Sequence, residues 1–314
     1  MKQALIIGID KYPNQPLHGC VNDAEALAKV LNYNGDAEKS VNFEVKLATN
    51  VQSRAELRGM IRNLFDYDAD IVLLYFSGHG YVNETGGYIV TPDGQTNDPG
   101  ISMDEILNQA NQSDIKTKII ILDCCNAGAI GLPANLPGTS FLRKGMIILT
   151  SSREKEPAKE TDGHGIFTSL LIDALNGGAA DLKGDITPAN IYAHIDTAIG
   201  NWGQRPIFRA NVTRFTPVRK IKPLVDIEVV KKIATYFPVP EHKFQLDPTF
   251  EWTNTDMAIA ANVEIFKELQ SMNRVGLLVP AGATDMYFAA MKSKFCRLTA
   301  LGLHYWRLAK DKRI

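Results

Sequence analysis

The sequence predicts an α/β protein built on a parallel sheet with helices on both faces. Two observations predict it. Short β-rich apolar runs alternate with stretches of helical spacing. The strongest runs, Ile71–Phe76 (IVLLYF) and Lys118–Leu122 (KIIIL), are apolar at successive rather than alternate positions, as strands covered on both sides must be.

Ala4–Ile9 is the first run and Val41–Leu47 a weaker second, while Met146–Leu149 (MIIL) follows the two strongest. Between them, Ala24, Leu27, Ala28 and Leu31 recur at i, i+3, i+4 and i+7, as do Leu57, Met60, Ile61 and Leu64. Each set makes one face of a helix. Ser102 and Glu105 have the spacing of a capping box ahead of Ile106 and Leu107. Phe167, Leu170, Leu171 and Ala174 mark a helix that Gly177–Gly178 closes. Thr187–Pro188 reads as a cap followed by a first-turn proline.

The pattern changes after about residue 211. Residues 1–211 form the α/β domain, and 212–225 (VTRFTPVRKIKPLV), basic and with two prolines, read as a linker. Residues 226–314 have the character of a small α+β, winged-helix-like module. They hold an amphipathic stretch near Val263–Leu269, a strand or wing around Gly276–Tyr287 and a closing helix in LTALGLHYWRLAKDKRI.

A chain of 314 residues suits two domains of about 100–200 residues each. With 45% hydrophobic and 22% charged residues it can bury a core and is not disordered. The net charge of −1 selects no partner class. Cys20, Cys124, Cys125 and Cys296 show neither a disulfide framework nor zinc-finger spacing, so reduced thiols in a cytosol are expected. The first apolar run is too short for a leader or a membrane span, and no later segment has the unbroken apolar length to cross one.

In an open α/β sheet, reactive groups gather at the carboxyl ends of the strands. The two strongest runs end in Ser77-Gly78-His79-Gly80 and Asp123-Cys124-Cys125-Asn126-Ala127-Gly128. A thiol with a pKa of about 8.5 needs a base to become a nucleophile at neutral pH. Alternation along a strand puts Asp123 and Cys125 on one face, and Ser77 and His79 on one face, with Cys124 turned into the core. Cys125 is therefore the candidate nucleophile and His79 its base. The amides of Gly80 and Cys125 are candidates for an oxyanion hole.

These motifs resemble the caspase clan of peptidases, and within it the metacaspases. In caspases the histidine lies about 50 residues before the cysteine; here His79 precedes Cys125 by 46 positions. GIDKY after the first strand, LHGCVNDA at Leu17–Ala24, LTSS at Leu149–Ser152 and GIFTSLL at Gly165–Leu171 extend the likeness over residues 1–211. The resemblance implies a mostly parallel six-stranded sheet sandwiched by helices and a Cys125–His79 dyad. It also implies cleavage after Arg or Lys in a pocket lined by Cys20, Asp23, Ser77 and Asp123. Two carboxylates facing one cleft would favour a cation and repel an acidic residue.

The chain departs from the family in two places. Many metacaspases read His-Ser-Gly after the cysteine pair, where this chain has Asn126-Ala127-Gly128. Calcium-dependent members use an aspartate cluster, part of it just after the cysteine, where AIGLPANLPG has no acid. Asp93, Asp104 and Glu105 remain as ligands for a cation that wants six to eight oxygens. A strong calcium site is not expected, and no cofactor is required.

Plainer readings stand beside these. His79 is also consistent with a structural histidine, Cys125 with a buried inert thiol, Asp23 with the cap of the helix beginning near Ala24, Asp123 with a turn residue and Ser77 with small-residue packing. His164, after the charged loop SREKEPAKETDG, reads as exposed. The loop Ala127–Lys144 is long and rich in Gly and Pro, and Arg143 or Lys144 near its end would be a site of self-cleavage. Lys292, Lys294, Arg297, Arg307, Lys310, Lys312 and Arg313, with Tyr305 and Trp306, form a basic C-terminal set. A solvated helix face is favoured over nucleic-acid contact for it, and a partner-docking role for the module stays open.

The functional expectation is a monomeric, cytosolic cysteine endopeptidase acting on proteins, in bacterial stress, immunity or cell death by family analogy. The rivals are an inactive caspase-fold scaffold and a DNA-binding regulator acting through the C-terminal module.

Overall fold

The computed structural model describes residues 1–95, 98–130, 142–152, 160–161, 164–199 and 205–314. The chain forms two compact units, Met1–Lys222 and Pro223–Ile314.

In the first unit the strands are β1 (Lys2–Gly8), β2 (Glu44–Thr49), β3 (Ile71–Ser77), β4 (Gly80–Asn83), β5 (Gly86–Gln95), β6 (Asp98–Ser102), β7 (Thr117–Asp123), β8 (Met146–Thr150), β9 (Glu160–Thr161), β10 (His164–Gly165), β11 (Asp185–Ile186), β12 (Ile207–Asn211) and β13 (Arg219–Lys220). The helices are α1 (Cys20–Asn32), α2 (Arg54–Phe65), α3 (Met103–Gln112), α4 (Ile166–Asp173) and α5 (Pro188–Ile199). Six strands form the central sheet in the order β12-β8-β7-β3-β1-β2. All its pairings are parallel except that of the edge strand β12 with β8.

Both faces of the sheet are buried, which is why the central runs are apolar at every position. Leu5, Ile7, Leu74, Phe76, Ile120 and Leu122 pack with α2 and α3. Ala4, Ile6, Leu73, Tyr75, Ile119 and Ile121 pack with α1, α4 and α5. Gly8, Ser77 and Asp123 fall in register across β1, β3 and β7. The three segments that follow them therefore leave the sheet at one edge.

Several local expectations shift. The second strand begins at Glu44 rather than Val41, because Val41 is spent in an isolated bridge to Tyr33. Ser102 caps α3 by accepting from the Asp104 N–H, but Glu105 does not complete a capping box: Arg58 takes its carboxylate at 2.6 and 2.9 Å. Thr187 does cap α5, accepting from the Asn190 N–H. α4 runs into a π turn, Ala174–Gly178, where Gly177 adopts φ +128°, a conformation that glycine takes at little cost. Residues 212–222, expected in a linker, contribute β13, which pairs with β11, and Val218, which is buried in the core beside α1.

The second unit holds α6 (Ile227–Lys231), α7 (Ile233–Tyr236), β14 (Lys243–Gln245), α8 (Ala260–Arg274), β15 (Leu278–Ala281), α9 (Met286–Met291), β16 (Phe295–Leu298) and α10 (Ala300–Lys310). Its three strands form an antiparallel sheet in the order β14-β16-β15. It is the small α+β module expected, with α9 in the connection that a plain wing would make with a loop. Trp306, expected on an exposed basic face or in the core, donates its indole N–H to the Phe237 carbonyl at 2.5 Å. Lys310 lies over its ring at 5.9 Å. No helix among the described residues is long and apolar enough to cross a membrane.

Candidate active site

β3 ends at Ser77 and β7 at Asp123, a paired position, so Gly78-His79 and Cys124-Cys125 leave adjacent strands side by side. The two segments touch closely. A methyl group on Gly80 would collide with the Cys125 carbonyl oxygen, so only glycine fits there. The Val90 N–H donates to the His79 carbonyl at 2.9 Å, which makes Gly80 and Ile89 a non-hydrogen-bonded pair across β4 and β5. The Gly80 N–H is thus not spent on β5.

Beyond Ser77 the chain leaves the pleat, and alternation no longer places His79. Its ring lies against Tyr12, centroids 4.5 Å apart. Its backbone N–H donates to the Tyr12 hydroxyl at 3.1 Å, and that hydroxyl donates to the Val90 carbonyl at 3.3 Å. Burial pushes the Tyr12 phenol far above its ordinary pKa, so the hydroxyl keeps the proton this chain requires. His79 Nε2 lies 2.7 Å from the Gln15 carbonyl oxygen. A carbonyl only accepts, so Nε2 carries the hydrogen and Nδ1 is left with the basic lone pair.

Of the two adjacent thiols, Cys124 is fully buried among the residues packed with α2 and α3. Burial, with the nearby Asp123 carboxyl, raises its pKa. It is held as a thiol with apolar packing. Cys125 is half-buried, and none of the four cysteines is disulfide-bonded. Asn126, the first departure from the family pattern, adopts φ 60°, ψ 17°. This left-handed conformation is one asparagine takes more readily than most residues, and it turns the chain directly after Cys125.

Cys20, Asp23, Ser77 and Asp123 are all buried. Asp23 does not cap α1. The helix begins at Cys20, and Asp10 caps it, accepting from the Cys20 N–H at 2.9 Å and the Val21 N–H at 3.3 Å. Asp23 instead faces β10, where it accepts from the Gly165 N–H at 3.0 Å and lies 2.7 Å from His164 Nδ1. Asp123 accepts from Thr168 Oγ1 at 2.7 Å, and Thr168 Oγ1 is 2.6 Å from the Tyr75 hydroxyl. The two carboxyls converge on Gly165. A methyl group there would stand 2.7 Å from Asp123 Oδ2 and 3.0 Å from Asp23 Oδ2. Gly165 has an ordinary φ of −67°, so space rather than backbone conformation demands the glycine.

His164, expected to be merely exposed, joins this cluster with its side chain 44% exposed. Asp10, Tyr12, Gln15, Gly165 and Thr168 were not singled out as site residues. GIDKY and GIFTSLL held four of them within matched motifs, but only contacts across the fold assign their partners.

The remaining candidates lie elsewhere. Glu105 is paired with Arg58, and Asp93 accepts from the Arg54 N–H and the Thr91 hydroxyl. Among the described residues no group of three or more His, Cys, Asp or Glu side chains is arranged to hold a metal ion. Arg143 and Lys144 are exposed, and Arg143 is anchored through its N–H to the Asn111 side chain at 3.0 Å. Residues 131–141 of the preceding loop lie outside the described residues.

The fold and this strand-end arrangement define a class, and the comparisons give it a name. The caspase domain model matches residues 1–214, and the chain belongs to that family. Caspase-1 from Spodoptera frugiperda is similar in structure, with a TM-score of 0.50, 17% identity, and coverage of 70% of this chain and 90% of that one. Protein GSU0716 from Geobacter sulfurreducens is similar at a TM-score of 0.51 and 17% identity, covering 71% of this chain and 97% of that one. At this identity the likeness establishes the fold. No curated protein resembles the chain closely enough to count as a match.

Proposed function

We infer that the chain is a metacaspase-like cysteine endopeptidase that cleaves proteins after Arg or Lys. The observation that carries this reading is the convergence of the buried Asp23 and Asp123 carboxyls on Gly165, at the sheet edge where His79 and Cys125 emerge. Two acidic groups that meet at the edge from which the dyad emerges suit the guanidinium or ammonium of a substrate and repel an acidic residue. Ser77, paired with Asp123 across β3 and β7, and Cys20, on α1 with Asp23, belong to the same site on this reading.

The chemistry follows from the hydrogen-bond roles. His79 Nδ1 takes the Cys125 Sγ proton, and the thiolate attacks the carbonyl carbon of the scissile bond. The oxyanion is met by the N–H groups of Gly80 and Cys125. His79 then gives its Nδ1 proton to the leaving amine, and the C–N bond breaks to leave a thioester. Water, deprotonated by His79, hydrolyses the thioester and restores the thiol. No step needs a metal or an organic cofactor.

Cytosolic location, a monomeric state and a role in stress, immunity or cell death follow by family analogy. The C-terminal unit would dock a partner protein, with nucleic acid the less favoured ligand. Self-cleavage after Arg143 or Lys144 is part of the same reading. An uncut chain after long incubation of active enzyme would count against it.

The test is hydrolysis of paired Arg-ended and Asp-ended peptide reporters by the wild type and by Cys125→Ala. Arg-selective turnover lost in the variant is expected. Asp-selective turnover, or turnover that survives the substitution, would overturn the reading.

A further inference from the structure

A recess adjoins His79, away from the acidic cluster. It has a volume of about 440 Å³ and is lined by Tyr12, His79, Tyr81, Val90, Pro92 and Pro99 together with uncharged polar residues, Gln15 among them. That volume falls within the range of about 300–1,000 Å³ usual for small-ligand pockets. Among the described residues, no Asp, Glu, Lys or Arg lines it. Asp93 and Asp98, which flank residues of its lining, are both engaged, Asp93 by the Arg54 N–H and the Thr91 hydroxyl and Asp98 by the Arg54 guanidinium.

The recess and the acidic cluster lie against opposite faces of the sheet. Asp23 belongs to α1, and Asp123 bonds to α4 through Thr168, which puts the acidic cluster on the face packed with α1, α4 and α5. Tyr12 and Val90 pack with the core formed by α2 and α3. His79 stands at the wall of the recess, with its ring on Tyr12. A peptide whose basic side chain enters the acidic cluster must bring its leaving nitrogen to His79, because that ring supplies the leaving group's proton. The residue that carries this nitrogen is then delivered to the mouth of the uncharged recess.

We propose that this recess is the binding site for the side chain immediately following the scissile bond, and that it selects an uncharged, apolar or aromatic residue there. The inference rests on the endopeptidase reading and deepens it: the substrate class becomes a basic residue followed by an apolar one. A charged side chain would have to give up its hydration against Val90, Pro92 and Pro99 with no counter-charge in return. An apolar one buries surface on Tyr12 and Tyr81. The loop that supplies the Gln15 carbonyl to His79 also borders the recess, so an occupant packs against the segment that orients the base.

The experiment uses internally quenched peptides, identical except for the residue after a single Arg, which is Phe, Asp or Lys. Each is measured for hydrolysis by the wild-type chain and for binding to Cys125→Ala. The expected result is a preference for Phe over Asp and Lys of about tenfold or more, the scale on which an apolar pocket discriminates. Tyr81 is 44% exposed at the rim, so Tyr81→Lys should fold normally and shift preference toward the Asp peptide. Equal handling of the three peptides, or a Phe preference that Tyr81→Lys leaves untouched, overturns the proposal. Phe-selective binding to Cys125→Ala without hydrolysis by the wild type would support the recess while ending the endopeptidase reading.

Discussion

His164 Nδ1 lies 2.7 Å from Asp23 Oδ1, joining β10 to α1 across 141 residues of chain. The imidazole closes one side of a carboxyl that is only 2% exposed, and the Gly165 N–H holds the other oxygen. Two consecutive residues thus fix a buried acid in place. On the proposed reading, His164→Ala frees Asp23 to rotate and weakens recognition of Arg. KM for an Arg-ended reporter should rise about tenfold with a smaller effect on kcat, the equivalent of about 1.4 kcal/mol. His164→Asn keeps a donor of similar reach and should recover part of the loss. A change confined to kcat would exclude this positioning role.

Gly165→Ala places a methyl group between the two carboxyls. The backbone conformation tolerates alanine, so the helix after it should form, and the cost is local crowding of about 1–3 kcal/mol. On the proposed reading the methyl displaces the two carboxyls from the arrangement that recognises Arg or Lys, with kcat/KM falling at least about a hundredfold while circular dichroism stays native. An alanine variant as active as the wild type would show that this arrangement of the carboxyls does not select the substrate.

Thr168 links the Tyr75 hydroxyl to Asp123 Oδ2 inside the core. Thr168→Val preserves shape and removes the link, so each buried group loses a partner. Stability should fall by about 1–3 kcal/mol, read from the midpoint of a urea unfolding curve. Thr168→Ser retains the hydroxyl and should cost less, and equal losses from the two would attribute the effect to packing alone.

Burial raises the pKa of the Cys124 thiol, and raises that of Cys296 to about 12. In the unfolded chain both titrate near the ordinary value of 9.0. The folded state therefore holds more protons above that pH, so their stabilising contribution is complete below about 9 and is lost as pH rises. The urea midpoint should fall between pH 8 and pH 10.5, and Cys296→Ala should reduce that fall relative to wild type. Alkylation at neutral pH should mark Cys125 and spare Cys20, Cys124 and Cys296 until the chain unfolds. Early labelling of Cys124 would contradict its burial.

Much of this was legible in the sequence. The central strands were, because a stretch buried on both faces has no polar position to hide its period. His79 and Cys125 stood out because glycine-flanked His and paired Cys are unusual endings for apolar strands. Asp10, His164 and Thr168 were not legible, since each acts through a partner far away in sequence. Glu105 shows the limit of a local rule: its spacing fits a capping box, yet an arginine from another helix offers a charged bidentate partner and outcompetes one backbone N–H. Asp23 shows the same from the other side, because the capping duty assigned to it is performed by Asp10, ten residues before the helix begins.

The group that orients His79 is a main-chain carbonyl, that of Gln15, and every amino acid carries one. An alanine scan of residues 11–17 would therefore pass over it, and position 15 is free to drift in side chain without removing the acceptor. Only a change in the path of the loop, such as a deletion, would withdraw the acceptor. On the proposed reading, a third member of the catalytic apparatus can in this way leave no trace in the pattern of tolerated substitutions.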